Sequence, residues 1–240
     1  IKLHTTTSTN DYLKSYVNKN FMEDFTVVYA ENQTNGKGQF GTVWASKPGE
    51  NLTFSVYMST TFLCLKNQFY LNCAVSLSVY NVLNNLSIFQ LSLKWPNDIL
   101  SYHKKLAGIL IENVISSSDN SFAIIGIGLN VNQLFFDPLL KATSLKKISG
   151  KHFNLNELLV LIVLELQNQI SILRAGDFCS LHSSYEEVLF RKNKPSTFMN
   201  VKGDLFTGFI KNVTTEGRLR VLTENEVYKE FNLKEVKLMY

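Results

Sequence analysis

At 240 residues and 45% hydrophobic content, the chain can bury one large core, or a large domain and a small one. The net charge of +4 is spread along the sequence, which excludes a nucleic-acid footprint read from charge alone. No arginine precedes Arg174, so anion handling in the first two-thirds falls to lysine, backbone amides or a metal. Cys64, Cys73 and Cys179 are odd in number and lack metal-ligand spacing, and read as buried thiols of a reducing cytoplasm. The first twenty residues are polar, without a signal-peptide pattern. The longest apolar run, LLVLIVL at 158–164, is far short of the ~20 residues that span a bilayer. These features predict a soluble cytoplasmic protein with no membrane partner.

In chain order, STNDYLKSYVNKN (8–20) reads as a helix capped by Ser8 or Thr9, with Asp11 in its first turn. FTVVYA (25–30) reads as a strand, and a glycine-rich loop follows it. After a Pro-Gly turn, Leu52 to Met58 alternates as a strand. Residues 67–86 form a helix with Leu71, Ala74, Val75, Val79, Val82 and Leu83 on one face. FQLSLKW, DILSY and KLAGILIENV are successive strands, the last two joined by a turn near His103 and Lys104, and SFAIIGIGLNV is another. The strongest helix begins at its cap Asn154 and stops at Gly176, with Leu158, Leu159, Ile162, Leu166, Ile170 and Leu173 as its stripe. From about 190 onward, four short strand patterns (195–201, 204–211, 218–223, 226–231) predict a small β-barrel.

The loop GKGQFGTVW (36–44) satisfies G-x-G-x-x-G through Gly36, Gly38 and Gly41. The dinucleotide reading of that pattern needs a helix after the glycines and an acidic residue ~20 positions on. Neither is present, and no Gly-Lys-Ser/Thr closes a P-loop. The glycines therefore sit between strands, either in an ordinary hairpin loop or where bare backbone approaches an anionic or planar ligand. A second polar cluster, Lys94, Asn97, Asp98, Lys104 and Lys105, interrupts otherwise apolar strands in KWPNDILSYHKKLAGILIE. Asp98 and Lys105 fall across the expected hairpin and can share a cleft; Pro-Asn-Asp is also good turn chemistry.

Taken together, STNDYL, AENQTNGKGQFGTVWAS, KWPND, KKLAGILIE and IGIGLNVN, in this order, resemble the biotin protein ligases. The resemblance implies an α/β (α+β) fold: a mixed-sheet biotin/lipoate ligase-like catalytic domain over 1–190 and a small SH3-like C-terminal β-barrel over 191–240. It implies a short form, since the motifs start at residue 8 and leave no room for the DNA-binding domain of longer members; no DNA partner is expected. The implied reaction activates biotin with ATP and Mg²⁺ to biotinyl-5′-AMP. Biotin then passes to a lysine of a biotin carboxyl carrier protein or domain, without a covalent enzyme intermediate. A lipoate or octanoate ligase on the same fold, and a catalytically inactive biotin- or carrier-binding module, are the competing readings. A monomer or homodimer fits equally.

Carried over residue by residue, the resemblance places Ser8, Thr9 and Asn10 at the biotin ring pocket and Gln33 at its edge. Gly36, Lys37 and Gly38 match a Gly-Arg-Gly that closes over biotin and the adenylate, and Trp44 an aromatic near the adenine. Lys105 matches the lysine reaching biotin's carboxylate and the α-phosphate, and Gly108 a close backbone approach to biotin. Lys94, Asn97, Asp98 and Asn130 match polar groups near the nucleotide, with the metal possible near Asn130. Lys105, Asp98 and Lys37 are the expected catalytic residues, with Asp98 as base toward the acceptor amine. Many members have Arg-Gly-Arg where this chain has Lys37, Gly38 and Gln39. Lysine lacks arginine's bidentate fork and Gln39 lacks charge, so weaker retention of the adenylate is expected.

Overall fold

The computed structural model describes residues 1–17, 21–115, 121–137 and 141–240. The end of the first expected helix (18–20) and the start of IGIGLNVN's preceding loop (116–120) lie outside the described residues.

A seven-stranded mixed sheet forms the centre. Its strands are β1 (Lys2–Thr6), β2 (Val27–Gln33), β3 (Leu52–Ser59), β4 (Leu91–Lys94), β5 (Asp98–Ser101), β6 (Lys104–Val114) and β7 (Phe122–Leu129), in spatial order β1-β2-β3-β7-β6-β5-β4. Only the β1–β2 pair is parallel. β1 is polar and largely exposed, so the sequence gives it no alternation to be recognised by. Its pairing Thr6↔Gln33 holds β2 extended to Gln33, past the β-branched run that announced the strand.

Period two divides this sheet into two unlike faces. Phe54, Val56, Ile109, Ile125 and Ile127 join one buried cluster with helix α2 (Gln68–Asn85) and helix α4 (Leu155–Arg174). The neighbouring positions Ser55, Gly108, Gly126 and Gly128 belong to the opposite face. There, helix α1 (Thr9–Val17) covers part of the sheet through Leu13, Val28 and Ile124.

The expected face of α2 is buried, and so are Cys73, Ser76, Leu77 and Ser78, because α4 and α5 (Phe178–Glu187) pack on its outer side. In α4, Asn154 caps as expected: its Oδ1 accepts from the amides of Asn156 (2.9 Å) and Glu157 (3.4 Å). Leu158, Ile162, Leu166, Ile170 and Leu173 are buried while Leu159 is partly exposed, and Gly176 adopts φ 77° at the stop. By length and apolar composition alone α4 could cross a bilayer; here its stripe packs into the core. A short helix α3 (Leu145–Ser149), capped by Ser144, and α5 were not anticipated.

The thiols differ from expectation. Cys73 is buried and its thiol is pushed well up by burial, but Cys64 and Cys179 are exposed. Cys64 stands in the turn before Leu65–Asn67, and Cys179 in the first turn of α5, whose buried residues are Leu181 and Tyr185.

The C-terminal unit is an antiparallel sheet in the order β11-β10-β9-β8-β12, open at its ends. Its strands are β8 (Pro195–Asn200), β9 (Leu205–Val213), β10 (Leu219–Thr223), β11 (Tyr228–Phe231) and β12 (Val236–Met239). β12 is the fifth strand, beyond the four expected, and pairs with β8. The indole Nε1 of Trp95 donates to the Gly217 carbonyl at 3.0 Å, and the Glu186 carboxylate accepts from the Val213 amide at 2.8 Å. These bonds fasten the small sheet to the end of β4 and to α5, so that β12 becomes a wall of the cavity described next.

Candidate active site

A cavity of about 920 Å³ opens over the glycine-bearing face. Every expected site residue lines it except Gly36. Three glycines make the floor. A Cβ on Gly126 would lie 2.4 Å from Asn10 Oδ1, and one on Gly128 2.4 Å from Trp44 Cε2. At Gly108 it would meet Trp44 Cζ3 and Lys105 Cε at 3.0 Å. These positions must stay bare for α1, Trp44 and Lys105 to approach the sheet.

At one end a polar chain runs across the floor. Gln33 Oε1 accepts from the Thr9 amide at 2.8 Å and from its hydroxyl at 3.1 Å. Ser55 Oγ is 2.7 Å from Thr9 Oγ1 and 2.5 Å from Asn10 Oδ1, and Asn10 Nδ2 donates to Glu112 at 2.8 Å. The two roles foreseen for Ser8 and Thr9 are divided between them. Ser8 Oγ faces the Asp11 amide at 3.5 Å as the cap of α1, while Thr9 is drawn to Gln33. Both are buried and both border the cavity.

The glycine loop is a hairpin closed on itself. Trp44 N donates to Gly36 O (2.8 Å), Gly38 N to Thr42 O (2.7 Å) and Thr42 N to Gln39 O (3.2 Å), around a 3₁₀ turn at Gln39–Gly41. A Cβ on Gly36 would sit 2.4 Å from Trp44 O, and one on Gly38 2.5 Å from Thr42 Oγ1. These two glycines thus serve the hairpin's own closure, and the Gly38 amide is engaged inside it. The Lys37 ammonium pairs with Asp11 at 2.7 Å, and that hydrogen bond raises its pKa. Trp44 lays its indole on the floor with Nε1 buried and without a hydrogen-bond partner among the described residues.

At the other end Asp98 receives two ammonium groups, Lys105 at 2.6 Å and Lys94 at 3.5 Å. Lys94 and Asp98 pair across β4–β5. Strict alternation from Gly108 would turn Lys105 to the helix-covered face. The register shift opposite Ile99 and Leu100 inserts Leu106 as an extra residue, and so returns Lys105 to the side of Gly108. Its ammonium stands 5.3 Å from the Trp44 ring centroid, which joins the KKLAG segment to the glycine hairpin some sixty residues earlier. Asn97 Nδ2 is engaged with the Ile109 carbonyl at 2.5 Å, and Asn130 is buried with its amide 3.5 Å from the Lys105 carbonyl.

The sequence reading did not single out several contributors. Gly126 and Gly128 were announced by their period-two spacing in GIGL, the pattern of bare positions on one sheet face. Ser55 sits at an alternate position of an apolar strand, which is a comparable signal. Glu112 gives its role away only through a contact 102 positions distant. Lys141, Lys234, Lys237 and Tyr240 reach the cavity by tertiary folding and carry no local pattern. Six lysines (37, 94, 105, 141, 234, 237) and one carboxylate, Asp98, line the described cavity. Such a balance suits a ligand with several negative charges.

A profile of the Biotin/lipoate A/B protein ligase family matches residues 3–130, and the chain belongs to that family. Over 130 residues it is 36% identical to the bifunctional ligase/repressor BirA of Bacillus spizizenii, a match taking in 52% of this chain and 40% of that protein. It is 31% identical over 150 residues to the biotin–[acetyl-CoA-carboxylase] ligase of Mycobacterium tuberculosis, covering 61% of this chain and 54% of the relative. Among solved structures, the biotin protein ligase from Aquifex aeolicus in complex with biotin and ATP superposes with a TM-score of 0.83 at 28% identity. That match covers all of this chain and 97% of the other.

Proposed function

We propose that this chain is a biotin protein ligase that condenses biotin with ATP to biotinyl-5′-AMP and then acylates a lysine of a biotin carboxyl carrier protein or domain. The observation that carries the reading is the convergence of Lys105, Trp44 and Gly108 between a glycine floor and a lysine-rich end of one cavity. The relative from Aquifex aeolicus, solved with biotin and ATP, supports it. We also infer a division into a catalytic unit over 1–190 and an SH3-like unit over 191–240.

In the first step a biotin carboxylate oxygen attacks the α-phosphorus. The new O–P bond forms as the bond to pyrophosphate breaks. Two anions must meet, and the Lys105 ammonium, held by Asp98, cancels their repulsion and stabilises the charge of the transition state. The network Gln33–Thr9–Ser55–Asn10 presents hydrogen-bonding groups to the ring at the far end of the floor. The apolar tail would lie over the floor beside the Trp44 indole, which already covers Gly108 and Gly128. In the second step the acceptor amine attacks the acyl carbon and AMP leaves. Asp98 is the carboxylate of the cavity lining and the group to orient that amine or take its proton.

No cluster of three metal-ligating side chains occurs among the described residues. Mg²⁺ would enter with the phosphates, as an ion that keeps several waters, and Asn130 in the cavity lining would be its protein contact. When bound, it supplies further neutralisation of phosphate charge.

The test is to incubate the purified chain with biotin, ATP, Mg²⁺ and a carrier domain, and to read the carrier by mass spectrometry. A gain of one biotinyl group is expected. Preferential attachment of lipoate in competition would transfer the reading to the lipoate side of the family. Biotin binding without any transfer would leave a binding module.

A further inference from the structure

Tyr240 follows β12 and stands in the cavity with two ammonium groups over its ring. Lys141 Nζ is 4.9 Å from its ring centroid and Lys94 Nζ 5.5 Å. The ring is fixed by Phe190 at 5.1 Å, whose own amide donates to Leu93 O at 2.7 Å. Lys141 also donates to the Tyr240 main-chain oxygen. Asp98 is taken more closely by Lys105 than by Lys94. Three ammonium groups, Lys94, Lys105 and Lys141, therefore gather at the Asp98 carboxylate and the Tyr240 ring. An aromatic face holds an ammonium more weakly than a phosphate oxygen does through a charge-assisted hydrogen bond.

The backbone couples this pair to the chemistry. Lys105 N donates to Lys141 O at 2.7 Å and Thr143 N to Lys105 O at 2.9 Å, so residues 141–143 lie as an extra edge beside Lys105. With the α-phosphate at the Lys105 ammonium, Lys94 on the same Asp98 carboxylate and Lys141 on the edge beside Lys105 are cations of the same lining for the rest of the triphosphate.

We propose that Lys94, Lys141 and Tyr240 form the seat of the pyrophosphate end of the nucleotide, with the Tyr240 ring holding the two ammonium groups until phosphate oxygens take them. This deepens the ligase reading and rests on it for the identity of the leaving group.

The experiment uses the full chain and the exposed Lys141, whose substitution spares the core. Lys141→Gln should weaken binding of inorganic pyrophosphate, measured by calorimetry without biotin, by roughly tenfold or more. It should raise KM for ATP in biotin-dependent ATP–pyrophosphate exchange to the same degree. KM for biotin, and transfer to the carrier from preformed biotinyl-adenylate, should not change. Lys141→Arg should restore most of the affinity, and Tyr240→Leu should raise KM for ATP with little effect through Tyr240→Phe. Unchanged pyrophosphate affinity in Lys141→Gln, or an equal slowing of transfer from preformed adenylate, would overturn the seat. Pyrophosphate binding that depends on Lys141 in a chain unable to adenylate biotin would uphold the seat and reject the biotin reading instead.

Discussion

The two faces of the central sheet are made by alternate residues of the same strands, yet they are built to opposite rules. In β7, Ile125 and Ile127 enter the core cluster with α2 and α4, while Gly126 and Gly128 leave room for Asn10 and Trp44. One face gains from every methylene it buries, roughly 0.8 kcal/mol each. The other has given up side chains at three positions, and with them packing energy, so that backbone can floor a cavity. Stability and function are thus separated at a spacing of one residue. Substitutions on one face should report on folding, and those on the other on turnover.

The largest effect should come from the helix-covered face. Ile125→Ala removes a fully buried side chain between Val56 and Ile111 and should cost about 2–5 kcal/mol of unfolding free energy. Denaturant midpoints measure this, and ligand affinity in the surviving folded fraction should stay near normal. A loss of activity without a loss of stability would erase the division between the faces.

Next is Lys105→Ala on the site face. It should lower the rate of adenylation by roughly 10² to 10³, the scale of one transition-state donor, while the denaturation midpoint moves little because the side chain is partly exposed. Steady-state exchange kinetics read the first quantity. A normal rate would reduce the lysine to a hairpin-tip charge paired with Asp98.

Gly128→Ala sharpens the comparison, since it adds the one methyl that the helix-covered face would welcome. Its Cβ would stand 2.4 Å from Trp44 Cε2, so the indole must lift and the hairpin ending at Trp44 must follow it. A displacement on this scale should reduce kcat/KM for biotin by roughly tenfold to a hundredfold. The accompanying change in Trp fluorescence would show whether the indole has moved.

How much of this was legible beforehand follows the same division. The helix-covered face was readable, because alternation and the 3.6-residue stripes of α2 and α4 are its physical cause. The glycine hairpin and the KWPND and KKLAG segments were readable as candidate sites, since polar groups and glycines interrupt patterns that a core would continue. What escaped depends on partners far away in sequence. β1 exists because β2 accepts it, Lys105 faces the site because a bulge resets the alternation, and Tyr240 reaches the cavity on a fifth strand that pairs with β8. The loop glycines were left between a hairpin and a ligand approach, and Gly36 and Gly38 are held bare by Trp44 and Thr42 of their own hairpin.

The smallest effect tests the one polar bridge inside the helical layer. Glu165 on α4 accepts from Asn81 of α2 at 2.8 Å and from Gln169 at 2.9 Å. Burial works to raise its carboxyl, but the amide donors of Asn81, Gln169 and Asn168 outweigh it and hold the pKa below the ordinary 4.5. A folded-state pKa that is depressed contributes stability above the unfolded value, and that contribution is lost as pH falls through the folded one. Asn81→Ala removes one donor to the charged form and should cost about 1 kcal/mol at neutral pH. The gap between variant and parent should narrow as pH drops below 4.5, because protonation ends the preference that the amide was serving. Urea denaturation at several pH values measures the gap. A difference that stays constant across the acid range would mean that Asn81 acts by packing between the helices, and the helix-covered face would then be apolar in its energetics throughout.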